Sequence, residues 1–267
     1  MSAPISMSVA ASSTRPSTED SAYADAGDAA IALASPKALK VGGFTAFSAT
    51  DYPGQLSAVV FVQGCPWRCG YCHNPHLQTR TSSSPLAWPD ILQRLARRVG
   101  LLDAVVFSGG EPTMDPALPE AIRAVRSLGF AVGLHTAGAY PRRLAEVLPL
   151  LDWVGMDVKA PVQRYDEITR IDNSARLAQA SIEAVLASGV AHELRTTVHP
   201  ALHSAQEILA LARTLSALGV RRYAVQKFRA TGCADDALTH HTADVALSAD
   251  LLTQLSALFE RFTLREA

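Results

Sequence analysis

The 267-residue chain predicts an α/β fold built on a parallel sheet. Six short, largely apolar runs recur along it, and each is followed by an amphipathic stretch of helical period. Composition supports the same expectation. Apolar residues make up 48% and charged residues 18%, against roughly 25% charged in an average soluble domain. The chain therefore has ample material for a core and is not disordered throughout.

The strand candidates are Ser57–Gln63, Ala104–Ser108, Phe130–His135, Trp153–Lys159, His192–Val198 and Tyr223–Phe228. Gly, Pro or polar residues bound each one, as expected of parallel strands buried on both faces. Helical patterns cover Trp88–Val99, Pro116–Leu128, Pro141–Leu148, Ser174–Ser188, Ser204–Leu218 and Ser248–Phe259. Gly100, Gly129, Gly189 and Gly219 follow four of them closely, as helix stops should. Six strand–helix units with right-handed crossovers make either a doubly wound sheet or an incomplete barrel, and periodicity does not choose between them. In both, chemistry belongs at the carboxyl ends of the strands.

Residues 1–38 differ from the rest. Half of them are Ala or Ser, a composition that cannot offset the entropy of ordering, and the expectation is a disordered tail before one domain over 39–267. The formal net charge of -1 gives no global drive toward nucleic acid or an anionic membrane. No apolar run approaches the roughly 18 residues of a spanning helix, and no basic start leads into an apolar signal stretch. The expected compartment is the cytoplasm, with neither nucleic acid nor membrane as partner.

Three of the four cysteines, Cys65, Cys69 and Cys72, crowd into one loop directly after the first strand candidate. Clustered thiols in a reducing compartment read as metal ligands or redox groups. Three thiolates would leave one iron of a [4Fe–4S] cube open, whereas electron-transfer clusters usually take four cysteines. Zinc held by the same thiols with His73 or His76 is the competing reading, and with it a zinc-knuckle binding module. Cys233 is either a fourth ligand or a free thiol far from the loop.

The spacing Cys-x3-Cys-x2-Cys with Tyr71 before the last cysteine resembles the signature of radical S-adenosylmethionine enzymes. Ser108-Gly109-Gly110-Glu111-Pro112 is similar to a second motif of that superfamily. Asp51-Tyr52-Pro53-Gly54, Cys72-His73-Asn74-Pro75 and Met156-Asp157-Val158-Lys159-Ala160 narrow the likeness to the anaerobic ribonucleoside-triphosphate reductase activating proteins, within the glycyl-radical-enzyme activases. The resemblance spans about Val41 to Phe228.

It implies a partial (β/α)6 TIM-like barrel and a [4Fe–4S] cluster on Cys65, Cys69 and Cys72. The open iron would chelate S-adenosylmethionine, and reductive cleavage of that cofactor would yield a 5'-deoxyadenosyl radical. Gly109 and Gly110 would let the backbone approach the methionine amino group, and Glu111 would add a charge-assisted contact. Lys159 would bind the cofactor carboxylate, while Asp157 would orient it or help hold a monovalent cation. Arg195, in the fifth strand candidate, suits the same carboxylate. Tyr71 would lie against adenine or cluster, and the backbone near His73 and Asn74 would read the adenine edge.

Two departures stand out. His135-Thr136-Ala137-Gly138 replaces a family Asp-Thr-Asn-Gly, so a neutral-capable ring stands where a carboxylate would serve a cation. Gln226 stands where some activases carry a histidine. A six-stranded barrel leaves a lateral gap, which would admit a loop of a glycyl radical enzyme. The implied partners are that enzyme, either anaerobic ribonucleotide reductase or pyruvate formate-lyase or another of its kind, and a flavodoxin- or ferredoxin-type electron donor.

Overall fold

The computed structural model describes residues 38–240 and 247–266. All but the last residue of the expected tail lies outside the described residues. Eight strands form one sheet in chain order: β1 (Val41–Ser48), β2 (Ser57–Val62), β3 (Ala104–Gly109), β4 (Ala131–Thr136), β5 (Trp153–Asp157), β6 (Ala191–Val198), β7 (Arg222–Lys227) and β8 (Arg261–Arg265). From β2 to β8 every pairing is parallel. This is the sheet of a partial barrel, with β1 and β8 left as edges. The six expected strands are β2 to β7.

Helices return the chain between the parallel strands. They are α1 (Trp88–Ala96), α2 (Leu118–Ser127), α3 (Pro141–Val147), α4 (Val162–Thr169), α5 (Ser174–Ser188), α6 (Ala205–Ala217), the short α7 (Asp236–Thr239) and α8 (Ala249–Ala257). Their apolar faces explain their docking. In α1, Trp88, Ile91, Leu92 and Leu95 are buried, and in α2 Leu118, Ala121, Ile122 and Val125 are, the i, i+3, i+4, i+7 stripe of a core-facing helix. A capping box between Ser204 and Glu207 starts α6, which satisfies amide groups the first turn leaves free. Gly189, at φ 73°, ends α5, where a residue without a Cβ takes the left-handed turn at no steric cost.

Four elements lie outside the expectation, the short α7 among them. Strand β1 runs antiparallel to β2, and its Gly42-Gly43 pair and half-exposed residues give no buried-strand pattern. Strand β8 pairs with β7 beyond the last expected helix. Helix α4 buries Tyr165, Ile168 and Thr169, three positions at helical spacing in a stretch otherwise polar.

The register decides where the chemistry falls. Val62 pairs with Gly109, Thr136 with Met156, Asp157 with Arg195, and Thr197 with Gln226. Gly109, Thr136, Asp157, Arg195 and Gln226 therefore come to one end of the sheet, where the strands finish. Val59, Val60, Val105, Val106, Phe107, Leu134, Val154, Leu194 and Val225 are buried on its two faces, each large side chain contributing about 1.5–3 kcal/mol on leaving water. Among the described residues no helix is long and apolar enough to cross a membrane.

Candidate active site

A cleft of about 420 Å³ opens at that end of the sheet. The loop after β2 supplies Cys65, Cys69 and Cys72 to its wall; the ends of β3, β5 and β6 supply Gly109 and Gly110, Asp157 and Lys159, and Arg195. Tyr71, His73 and Asn74 line it too, as do Asp51, His135 and Gln226. Eleven of the twelve residues singled out from sequence thus share one cavity. Glu111 is the exception.

The cysteine loop is anchored by its aromatic residues. Trp67 is 2% exposed and meets Tyr165 edge to face, with ring centroids 5.8 Å apart. Tyr71 is 4% exposed, its ring below the Lys159 ammonium at 5.6 Å and against His203 at 6.3 Å. With Trp67 and Tyr71 driven into the core, the three half-buried thiols stay at the cleft. All three are free of disulfides. Burial pushes the Cys65 thiol up to about 12, with the Glu111 charge adding to it, and burial also raises Cys69.

The shelf that adjoins the cysteine loop is backbone. Gly110 N donates to Val62 O at 2.9 Å, and Glu111 N donates to Gly64 O at 2.7 Å. A Cβ on Gly110 would collide with the Gly64 carbonyl oxygen, and one on Gly109 would meet Val62 N and O at 2.6 Å. Glycine is required here because two backbones touch.

Glu111 corrects an expectation. Its side chain is fully buried and points away from the cleft. Its oxygens accept from Thr113 N and Oγ1, from Thr136 Oγ1 and from Ala137 N, at 2.6–3.1 Å. A buried carboxylate with no cation beside it must be saturated by donors, and these donors tie the end of β3 to the end of β4.

Asp157, Lys159 and Arg195 form one ionic group. Arg195 Nε donates to Asp157 Oδ1 at 2.5 Å, and Lys159 Nζ donates to Oδ2 at 2.9 Å. Burial alone would raise the Asp157 pKa, but the two cations hold it well below the usual carboxylate range. Lys159 likewise stays charged against burial because Asp157 faces it. Two positive charges share one negative one. The surplus makes this wall a receptor for an anionic group, a carboxylate above all. Strand β5 ends at Asp157, so Lys159 lies just beyond it and not within it as expected.

His135 is held neutral. Its Nε2–H donates to the Asp51 carbonyl at 2.8 Å and its Nδ1 faces Ser108 Oγ at 3.3 Å. Burial, then the Arg195 charge, lowers its pKa to about 3.

His73 Nε2 donates to the Arg229 carbonyl at 3.0 Å and its ring stacks on Phe228. This bond anchors the ring to the loop that follows β7 and puts its proton on Nε2, which leaves the Nδ1 lone pair free. Among the described residues no three His, Cys, Asp or Glu side chains converge to hold a single metal ion. Cys233 sits behind the cysteine loop, its thiol donating to Gly70 O at 3.4 Å, and it is absent from the cleft wall. The structure does not use it as a fourth thiol there. Sequence reading did not foresee this loop, in which Gly232 crosses so close to the His73 carbonyl that a Cβ would lie 2.6 Å from it. The glycine and cysteine of Thr231-Gly232-Cys233 were its one visible signal.

The donor set fits a cluster: three thiols line one wall of the cleft. It does not favour an added monovalent cation, because Asp157 already faces the fixed charges of Lys159 and Arg195.

Comparison with known proteins agrees. The profile of the Radical SAM superfamily matches residues 59–215. A glycyl-radical enzyme activating enzyme of Methanocaldococcus jannaschii is 31% identical over 208 residues, 73% of this chain and 82% of the relative. The pyruvate formate-lyase-activating enzyme of Clostridium pasteurianum is 34% identical over 114 residues, 41% of this chain and 48% of that protein. SuiB of Streptococcus suis, solved with a precursor peptide, superposes with a TM-score of 0.59 at 16% identity, over 77% of this chain and 48% of that one. The fold and the thiol loop define an enzyme of radical chemistry on S-adenosylmethionine. The chain belongs to the Radical SAM superfamily and is homologous to glycyl-radical-enzyme activating enzymes.

Proposed function

We propose that this chain activates a glycyl radical enzyme, most specifically anaerobic ribonucleoside-triphosphate reductase. The observation that carries the reading is the shared cleft: three thiols, the Gly109-Gly110 shelf and the Lys159–Asp157–Arg195 group face one cavity. Cys65, Cys69 and Cys72 would hold a [4Fe–4S] cluster. When bound, cluster and S-adenosylmethionine supply one-electron cleavage of a sulfonium carbon–sulfur bond and hence hydrogen-atom abstraction. The chain's own work is positional. Lys159 and Arg195 grip the cofactor carboxylate, and the Gly109-Gly110 backbone accepts from its ammonium group. Tyr71 supports Lys159 from below, and the backbone at His73 and Asn74 borders the far side. The gap between β1 and β8 admits a loop of the partner. A flavodoxin- or ferredoxin-type protein supplies the electron, and the reaction is cytoplasmic.

The likeness to the clostridial enzyme favours pyruvate formate-lyase or a related enzyme as the second reading of the partner. Anaerobic reconstitution should load about four irons per chain, and Cys65→Ala, Cys69→Ala or Cys72→Ala should each lower that content several-fold. A glycyl-radical EPR signal on mixing with ribonucleotide reductase, and none with pyruvate formate-lyase, supports the first partner; the converse selects the second. Stoichiometric zinc with no cleavage of S-adenosylmethionine overturns both.

A further inference from the structure

The cleft wall that would receive the cofactor carboxylate is crowded with permanent positive charge. An alkali cation gives up hydration only where several oxygens, at least one of them anionic, replace it. Two carboxylates line the cleft, Asp51 and Asp157. Asp157 has one oxygen on Arg195 Nε at 2.5 Å and the other on Lys159 Nζ at 2.9 Å. Asp51 Oδ2 accepts from Ser48 Oγ at 2.5 Å, and its Oδ1 lies 3.9 Å from His135 Nδ1.

The end of β4 and the residue after it offer no replacement. His135 directs its N–H to the Asp51 carbonyl, the Thr136 hydroxyl donates to Glu111, and residue 137 is alanine. A metal cation beside Asp157 would be left facing two fixed cations at close range. We infer that Arg195 stands in the place of a monovalent cation, so that S-adenosylmethionine binds this cleft without one. The inference rests on the cofactor reading above and deepens it.

Binding of S-adenosylmethionine to the cluster-loaded full chain, measured by calorimetry, tests it. The buffers are KCl, NaCl and tetramethylammonium chloride at one ionic strength, which holds screening constant. A cation that helped grip the ligand would have to change ligand affinity by the same coupling. The Kd should agree within about threefold across the three salts, and a larger tightening by K+ or Na+ overturns the inference alone. No binding in any salt overturns the cofactor reading, and this inference with it.

Arg195→Gln frees one oxygen of Asp157. Its weakened binding should recover by more than about threefold when K+ replaces tetramethylammonium, and absence of that recovery overturns the assignment of Arg195. The wild-type comparison decides the matter even if this variant does not fold.

Discussion

Glu111 is a motif residue whose spacing pointed at the ligand and whose carboxylate points into the protein. Its five hydrogen bonds to Thr113, Thr136 and Ala137 leave it nothing to offer a ligand. Nothing in Gly-Gly-Glu-Pro distinguishes the two orientations, because three of the five bonds come from Thr136 and Ala137, 25 and 26 residues away. Glu111→Ala would orphan those donors at a cost of about 2–4 kcal/mol. The melting temperature of the cluster-free protein should fall by about 2–4 °C for each kcal/mol lost. His135 acts at the same scale through pH. Its folded pKa is about 3, whereas the unfolded ring titrates near its ordinary value of about 6.5. The unfolded chain therefore takes up the proton first, so this stabilisation is present above about pH 6.5 and is lost as pH falls toward 3. Burial lowers His73 and His203 too, and they act in the same sense. Asp157, also depressed, gives stability present above the unfolded carboxylate value and lost only in stronger acid. Urea denaturation between about pH 6.5 and 4 should show His135→Gln losing about 1–3 kcal/mol less than the parent.

At the scale of elements, the loop after β2 and the turn after β3 function as one unit. Gly110 is enclosed by Gly64 and the Leu77 carbonyl, all backbone, so none of these neighbours can swing aside. Gly110→Ala should therefore force the shelf away from the thiols and weaken S-adenosylmethionine binding by about tenfold or more, while a Cβ added at Gly43 would meet only the Phe61 side chain, at 3.5 Å. The motifs themselves were legible because each follows a buried strand. Cys65 comes three residues after Val62, and Gly109 ends a run of four buried residues, Ala104 to Phe107. What periodicity could not supply was the partner of each charge. Asp157 and Arg195 lie 38 residues apart and meet only through the β5–β6 register. The loop carrying Gly232 and Cys233 was unreadable for the same reason, since its contacts are with residues 70 and 73.

Taken whole, the molecule is an unclosed barrel. Its six central strands announced themselves by short apolar stretches between turn residues and helical patterns, whereas the two edge strands did not. In β1, Thr45 and Phe47 are exposed, and in β8 no residue is fully buried, as suits strands with one neighbour each. The residues that build the cleft all lie between Thr50 and Arg229. A chain shortened to start at residue 38 should therefore load iron and cleave S-adenosylmethionine as the full chain does, within about twofold. Strand β1 has a further consequence. Because it runs against β2, its first residue, Val41, lies beside Val62, and Lys40 is tied by its amide to Asp115. The polypeptide thus begins its described course at the mouth of the cleft and not at the floor of the barrel. An affinity handle or fused carrier placed ahead of residue 38 would emerge at this end of the sheet, and so would one attached after β8, whose last residue, Arg265, pairs with Gln226 there.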